Sequence, residues 1–189
     1  MDILNKSYFV NGRFQYKTPY FNPNNSDEFV YNYIDFEEKE FKLMKYTIST
    51  QEHIELAEDV RIISQPKWSN KNWIAFDNIF QFDYGMNVVK SDGTERRKVS
   101  SDKHNLYPAW ANGGETLYWS YHGTLGTRPI YFLKQNINSA TVDTVFKYTT
   151  DENTGSAVRS EISKNNYLTR VRPKRRLNLA IYRCILWKV

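Results

Sequence analysis

Gln65-Pro66-Lys67-Trp68-Ser69-Asn70 runs into Trp73-Ile74-Ala75-Phe76; a second apolar run, Tyr84 to Lys90, then stops at Ser91-Asp92-Gly93-Thr94. This stretch reads as one unit of antiparallel sheet: an aromatic anchor just after a proline, a polar turn, a short apolar strand, a second strand and a hairpin. Asp-Gly between two strand-like runs predicts a tight primed turn, because such a turn needs positive φ. Asp92 and Gly93 are therefore read as structural residues rather than catalytic ones. The same order recurs. Thr18-Pro19-Tyr20-Phe21-Asn22-Pro23 leads into Phe29-Val30-Tyr31, Tyr107-Pro108-Ala109-Trp110-Ala111-Asn112-Gly113-Gly114 leads into Leu117-Tyr118-Trp119, and a fading copy without the proline is Ile162 to Leu168. The anchors Phe21, Trp68, Trp110 and Ile162 are 47, 42 and 52 residues apart. A period of about 40 to 50 residues holding several short strands is the mark of propeller blades.

Composition agrees with an all-β reading. The 189 residues are enough for one domain with a proper core, and 14 Tyr, 11 Phe and 5 Trp suit pleated, half-buried surfaces better than helices. The net charge of +5 arises from 26 basic and 21 acidic residues that are interspersed, so no broad single-sign field is expected and nucleic acid is not the expected partner. No run of 18 apolar residues exists, so no membrane span is expected. Residues 1–14 lack the apolar core of a secretory signal, which leaves a cytoplasmic protein, a mature form or a fragment as readings. The single cysteine, Cys184, lies in the apolar run Leu179 to Trp187 and is read as a small buried hydrophobe.

Along the chain, one domain spans residues 1–189, or a propeller fragment does, with repeats at about 18–60, 61–102, 104–153 and 158–189. In the first repeat, strands are expected at Glu28 to Ile34, Phe41 to Ile48 and about Glu52 to Leu56, with a solvated hairpin from Asp35 to Glu40 between the first two. Phe41, Leu43 and Lys45 point one way, Lys42, Met44 and Tyr46 the other, which is the period of a strand. In the third repeat a long loop, Tyr121 to Pro129, separates two strands. Proline and glycine are expected to stay out of strand interiors.

The second and third repeats resemble the TolB-like, WD-like β-propeller family. The resemblance rests on Pro66-Lys67-Trp68-Ser69 through Phe76, on Met86 to Thr94 with its Asp-Gly, and on Pro108 to Gly114. It covers residues 18–147 well and the rest weakly. It implies four antiparallel strands per repeat, with Phe21, Trp68 and Trp110 wedged between neighbouring blades; an aromatic ligand platform is the other reading of these three. Four repeats are few for this family, so the chain is expected to form part of a larger propeller, rather than a four-bladed ring or an open array that pairs with another chain. The resemblance also implies a non-enzymatic module for protein–protein interaction, in the periplasm or cell envelope. The alternative it implies is the propeller part of a prolyl-oligopeptidase-like peptidase or of a polysaccharide lyase.

No catalytic, metal or cofactor site is read from the residues. His53, His104 and His122 sit in different repeats without metal-ligand spacing, no Gly-x-Ser-x-Gly elbow is present, and Gly113-Gly114 is a turn rather than a phosphate cradle. His122, with Tyr121 and Arg128, is the one grouping in which a sugar or anion ligand is conceivable, because loops on a rigid scaffold are where binding groups sit. The bland reading of His122 is an exposed loop histidine. Arg170 to Arg176 is the one cluster of like charge, read as a wet inter-strand loop.

Overall fold

The computed structural model describes residues 13–60, 64–78, 84–102, 105–122, 129–149, 159–162, 167–176 and 179–188, and among them are fifteen strands and no α-helix. Each of the four anchors lies in the first strand of an antiparallel sheet, directly opposite an apolar residue of the second strand. The pairs are Phe21 with Phe29, Trp68 with Ile74, Trp110 with Leu117, and Ile162 with Leu168. The segment read as a lead-in to each sheet is thus itself a strand, and the polar turn after it is the first hairpin of the sheet.

Two units divide the chain, residues 1–103 and 104–189. The first holds a sheet of β1 (Phe14–Asn22), β2 (Asn25–Asp35), β3 (Glu40–Thr47) and β4 (Glu52–Ala57), and a sheet of β5 (Lys67–Trp68), β6 (Trp73–Asn78), β7 (Gly85–Lys90) and β8 (Arg97–Ser100), each ordered as in the chain. The second holds a sheet of β9 (Asn105–Ala111), β10 (Thr116–His122), β11 (Pro129–Asn136) and β12 (Asp143–Thr149). Beside β9 of that sheet lies β13 (Arg159–Ile162), which opens a three-stranded sheet with β14 (Tyr167–Arg176) and β15 (Leu179–Lys188). The fold is all-β, built of antiparallel propeller blades.

Some prolines fall inside strands, contrary to expectation, and two of them do so at the same kind of place. Pro19 and Pro108 are both in first strands, at the edge of their sheets, each at a break in register. The residue before each is left-handed: Thr18 has φ 52° and Tyr107 has φ 57°. An edge strand at a bulge is where a residue without an N–H does least harm to the ladder. The Xaa-Pro pair is therefore a bulge device shared by the first and third sheets.

One core cluster of the first unit lies between its two sheets, and a second, of Phe29, Tyr31 and Tyr46, lies on the other face of the first sheet. Trp68, 2% exposed, packs with Ile74, Phe76 and Val89 of its own sheet against Val30, Leu43, Leu56, Ala57 and Val60. Ser64, fully buried, clasps the two sheets: its carbonyl accepts from Thr18 Oγ1 (2.9 Å) and Asn32 Nδ2 (2.7 Å), and its hydroxyl accepts the Asp77 N–H (3.1 Å). Trp68 is the wedge that the sequence suggests. Phe21 is not: it is 41% exposed and stacks on Phe29 of its own sheet, 5.4 Å between ring centroids. The reason is directional, since Trp68 faces a sheet and no described sheet of the first unit lies over Phe21. Trp110 is only half-buried on edge strand β9, while Trp119 on β10 is fully buried, with its indole N–H on Asn105 Oδ1 at 2.9 Å.

Three loop readings change as well. The β7–β8 hairpin is not a primed turn: within Ser91–Thr94 Gly93 alone is left-handed, with φ 85°, its N–H returns to Lys90 O, and Asp92 Oδ1 accepts from the Thr94 N–H and hydroxyl. This is a type I turn closed by a left-handed glycine, and those two bonds hold the Asp92 carboxyl below the usual carboxylate range. Asp92 is structural, as read. Tyr121 and His122 end β10 rather than opening a loop, and Pro129 begins β11. The basic run Arg170 to Arg176 is strand, paired residue by residue with β15 through Arg176–Leu179. A ladder is made by backbone groups, so β15, apolar through Leu179 to Trp187, pairs with a charged strand along its whole length.

Candidate functional site on the third sheet

Four residues stand opposite one another across the third sheet: Asn105 on β9, Tyr121 on β10, Tyr131 on β11 and Lys147 on β12. Aromatic and β-branched residues favour these strands, and direct pairing places the four on one face in one row. The Tyr121 and Tyr131 rings lie 5.8 Å apart at 39°, and the Lys147 ammonium is 5.6 Å from the Tyr131 ring centroid. Burial grades along the row. Asn105 is buried against Trp119, both tyrosines are half-buried, and Lys147 is exposed. The row crosses the end of the sheet from which residues 123–128 connect β10 to β11. Those residues, Arg128 among them, lie outside the described residues, as do His104 and the side chain of His122.

Of the residues singled out in the sequence, Tyr121 alone is brought into this row. Tyr131 and Lys147 carry no motif, but a signal for Tyr131 was present. A hairpin centred on Gly126 pairs residues at equal distances from that centre, which puts Tyr121 opposite Tyr131. His53 serves packing: its Nδ1 is 2.8 Å from the Tyr31 hydroxyl, and its ring lies 4.5 Å from that of Tyr46. Burial raises the Tyr31 hydroxyl well above the ordinary tyrosine range. Among the described residues no group of three or more His, Cys, Asp or Glu is placed to hold a metal ion, and no helix is long and apolar enough to cross a membrane.

The corresponding end of the first sheet carries a related cluster. Counted from the anchor-paired residue, Tyr33 holds in β2 the position that Tyr121 holds in β10. It lies 5.8 Å from Tyr16 and 6.0 Å from Phe14, over which Arg13 sits at 4.9 Å. Arg13 also binds Asp35 at 2.9 Å, and this contact, with the N–H groups of Glu37 and Glu38, keeps the Asp35 carboxyl below its usual range.

The row can offer a partner two ring faces, two phenol hydroxyls and a cation, which is recognition chemistry. No family model matches the sequence, and no curated protein does. Solved structures do match, and they are propellers. The β-propeller domain of the trilobed protease from Pyrococcus furiosus, described as having an open velcro topology, is 10% identical with a TM-score of 0.63, over 96% of this chain and 56% of that one. TolB from Acinetobacter baumannii is 11% identical with a TM-score of 0.55, over 82% of this chain and 40% of that one. A chain of the nidogen/laminin complex is 13% identical with a TM-score of 0.61, over 88% of this chain and 60% of that one. This chain therefore spans less than two thirds of each. The likeness is one of fold.

Proposed function

We propose that this chain is a non-enzymatic propeller module that captures another protein, and that the row Tyr121–Tyr131–Lys147 is part of the capturing surface. One observation carries the reading: two half-buried tyrosines and an exposed lysine aligned across a rigid sheet, beside a connection between strands. Tyrosine is enriched at protein interfaces because it presents a large, stiff, amphipathic area, and half-buried rings lose little side-chain freedom when a partner covers them. The nidogen/laminin complex offers support by analogy, since a chain of similar fold is found there in a protein–protein assembly.

The test is capture by immobilised chain, followed by cross-linking to map the contact. Tyr131→Ala, Tyr121→Ala and Lys147→Glu are compared with the wild type, with melting curves as a control on folding. The two tyrosine variants are expected to lose about tenfold or more in affinity, and the lysine variant less. Equal capture by all four proteins, or cross-links confined to another sheet, counts against the row.

A further inference from the structure

We propose that the edge of the second sheet formed by β8 takes up an acidic, extended segment of another protein as a fifth strand. Among the described residues no strand pairs with the far side of β8. An edge strand presents N–H and C=O groups to any chain that can lie along it. What sets this edge apart is its charge. Arg97 and Lys98 lie in β8, Arg96 precedes it, and all three are exposed. The fourth strands of the first and third sheets differ: β4 is acidic, with Glu55 already bound to Lys42 at 3.1 Å, and β12 carries both Asp143 and Lys147.

Cations line both faces of the β8 edge. Trp73 on β6 stands opposite Lys90 on β7, and Val88, two residues before Lys90, stands opposite Arg97. Register thus puts Trp73, Lys90 and Arg97 on one face. The Lys90 ammonium is 4.3 Å and the Arg97 guanidinium 4.5 Å from the Trp73 ring centroid, and Trp73 is buried. Two cations attracted to one buried ring are held in place before a ligand arrives. They are no more than about 9 Å apart, close enough for one carboxylate to feel both at physiological salt. Arg96 sits on the opposite face, 5.7 Å from the ring centroid of Phe76. Lys98 shares that face, since it stands opposite Asn87 and Asn87 opposite Phe76. A strand laid along β8 sends alternate side chains to each face, so acidic residues at odd or even positions meet a cation. The acids within residues 90–100 are Asp92, engaged with Thr94, and Glu95. Basic side chains on an edge ordinarily keep other strands away; a strand of opposite charge is the one they admit. The four residues of β8 form a short ladder, so charge decides which segment stays.

A labelled peptide of alternating Glu and Val, titrated into the 189-residue chain by fluorescence anisotropy, tests this. Its counterparts are a Lys and Val peptide and a Glu and Val peptide N-methylated at alternate residues, which keeps the charge and removes ladder donors. The Glu peptide is expected to bind, more weakly as salt rises, and to slow amide hydrogen exchange at Arg97–Ser100. The Lys peptide is expected not to bind, and N-methylation to weaken binding by about tenfold. Arg96→Glu with Lys98→Glu leaves Arg97 on Trp73, so its melting curve is expected to stay in place. This variant is expected to bind the Glu peptide about tenfold more weakly. Absence of binding, equal binding of the N-methylated peptide, exchange slowed only outside β8, or indifference to the charge reversals overturns the proposal. Tyr131→Ala is expected to bind the Glu peptide as the wild type does, so this reading and capture by the third sheet fail separately.

Discussion

Trp68 and Phe21 occupy the same place in their sheets and have opposite environments. No hydrogen-bond partner for the Trp68 indole N–H is found among the described residues, so Trp68 acts by filling space between two sheets. Trp68→Ala removes that volume from a core whose neighbours belong to both sheets. We expect a loss of about 3 to 5 kcal/mol in a denaturant melt. Phe21→Ala should cost about 1 kcal/mol or less, because the ring already meets water on one side. A similar cost for both would mean that the face around Phe21 is as closed as that around Trp68. The sequence shows an aromatic after a proline at each place, but exposure depends on which sheet lies opposite, and no local pattern states that. Trp110 and Trp119 make the same point. The tryptophan next to the proline was the visible one, while the buried one on β10 read as an ordinary strand residue.

At the scale of elements, the periodicity was legible and the punctuation was only partly so. The alternation Phe41, Leu43 against Met44, Tyr46 correctly placed two faces of β3, because burial on either side selects period two. Prolines were misread as boundaries, since a bulge with a left-handed residue ahead of proline has no composition of its own. The charged segment Arg170 to Arg176 was misread as a loop because the ladder that makes it a strand is set by its partner β15. The β2–β3 hairpin shows how a charge can be structural. Asp35 accepts the Glu37 and Glu38 N–H groups at 2.9 and 3.2 Å and takes Arg13 Nη2 at 2.9 Å, tying the start of β1 to the turn. Its folded carboxyl titrates below the unfolded value, chiefly through the Arg13 hydrogen bonds. The resulting stabilisation is complete above about pH 4 and is lost as pH falls through the lower folded value. The stability difference between wild type and Asp35→Asn, measured by urea melts across pH, should therefore be full near neutrality and shrink on acidification below about pH 4. A difference that is constant with pH would show that Asp35 acts only as a hydrogen-bond acceptor in the turn.

At the scale of the whole molecule, the first unit holds a core of its own. Every residue of the Trp68 core lies within residues 1–103, and so does the Ser64 clasp with Thr18, Asn32 and Asp77. Two four-stranded sheets facing across a shared core have what an independent fold needs, namely more than a hairpin and an apolar face that is covered. Residues 1–103 produced alone should therefore melt cooperatively. Their tryptophans, Trp68 and Trp73, should emit at short wavelength until the transition, since both are buried. A broad, non-cooperative melt with water-exposed emission would show that the second unit is needed to close the first. The same fragment separates fold from function. It lacks Tyr121, Tyr131 and Lys147, so a folded 1–103 should fail to capture the partner that the full chain captures. Capture at full strength by the fragment would move the binding surface to the first unit, where the aromatic and charged cluster of Arg13, Phe14, Tyr16 and Tyr33 would become the place to mutate.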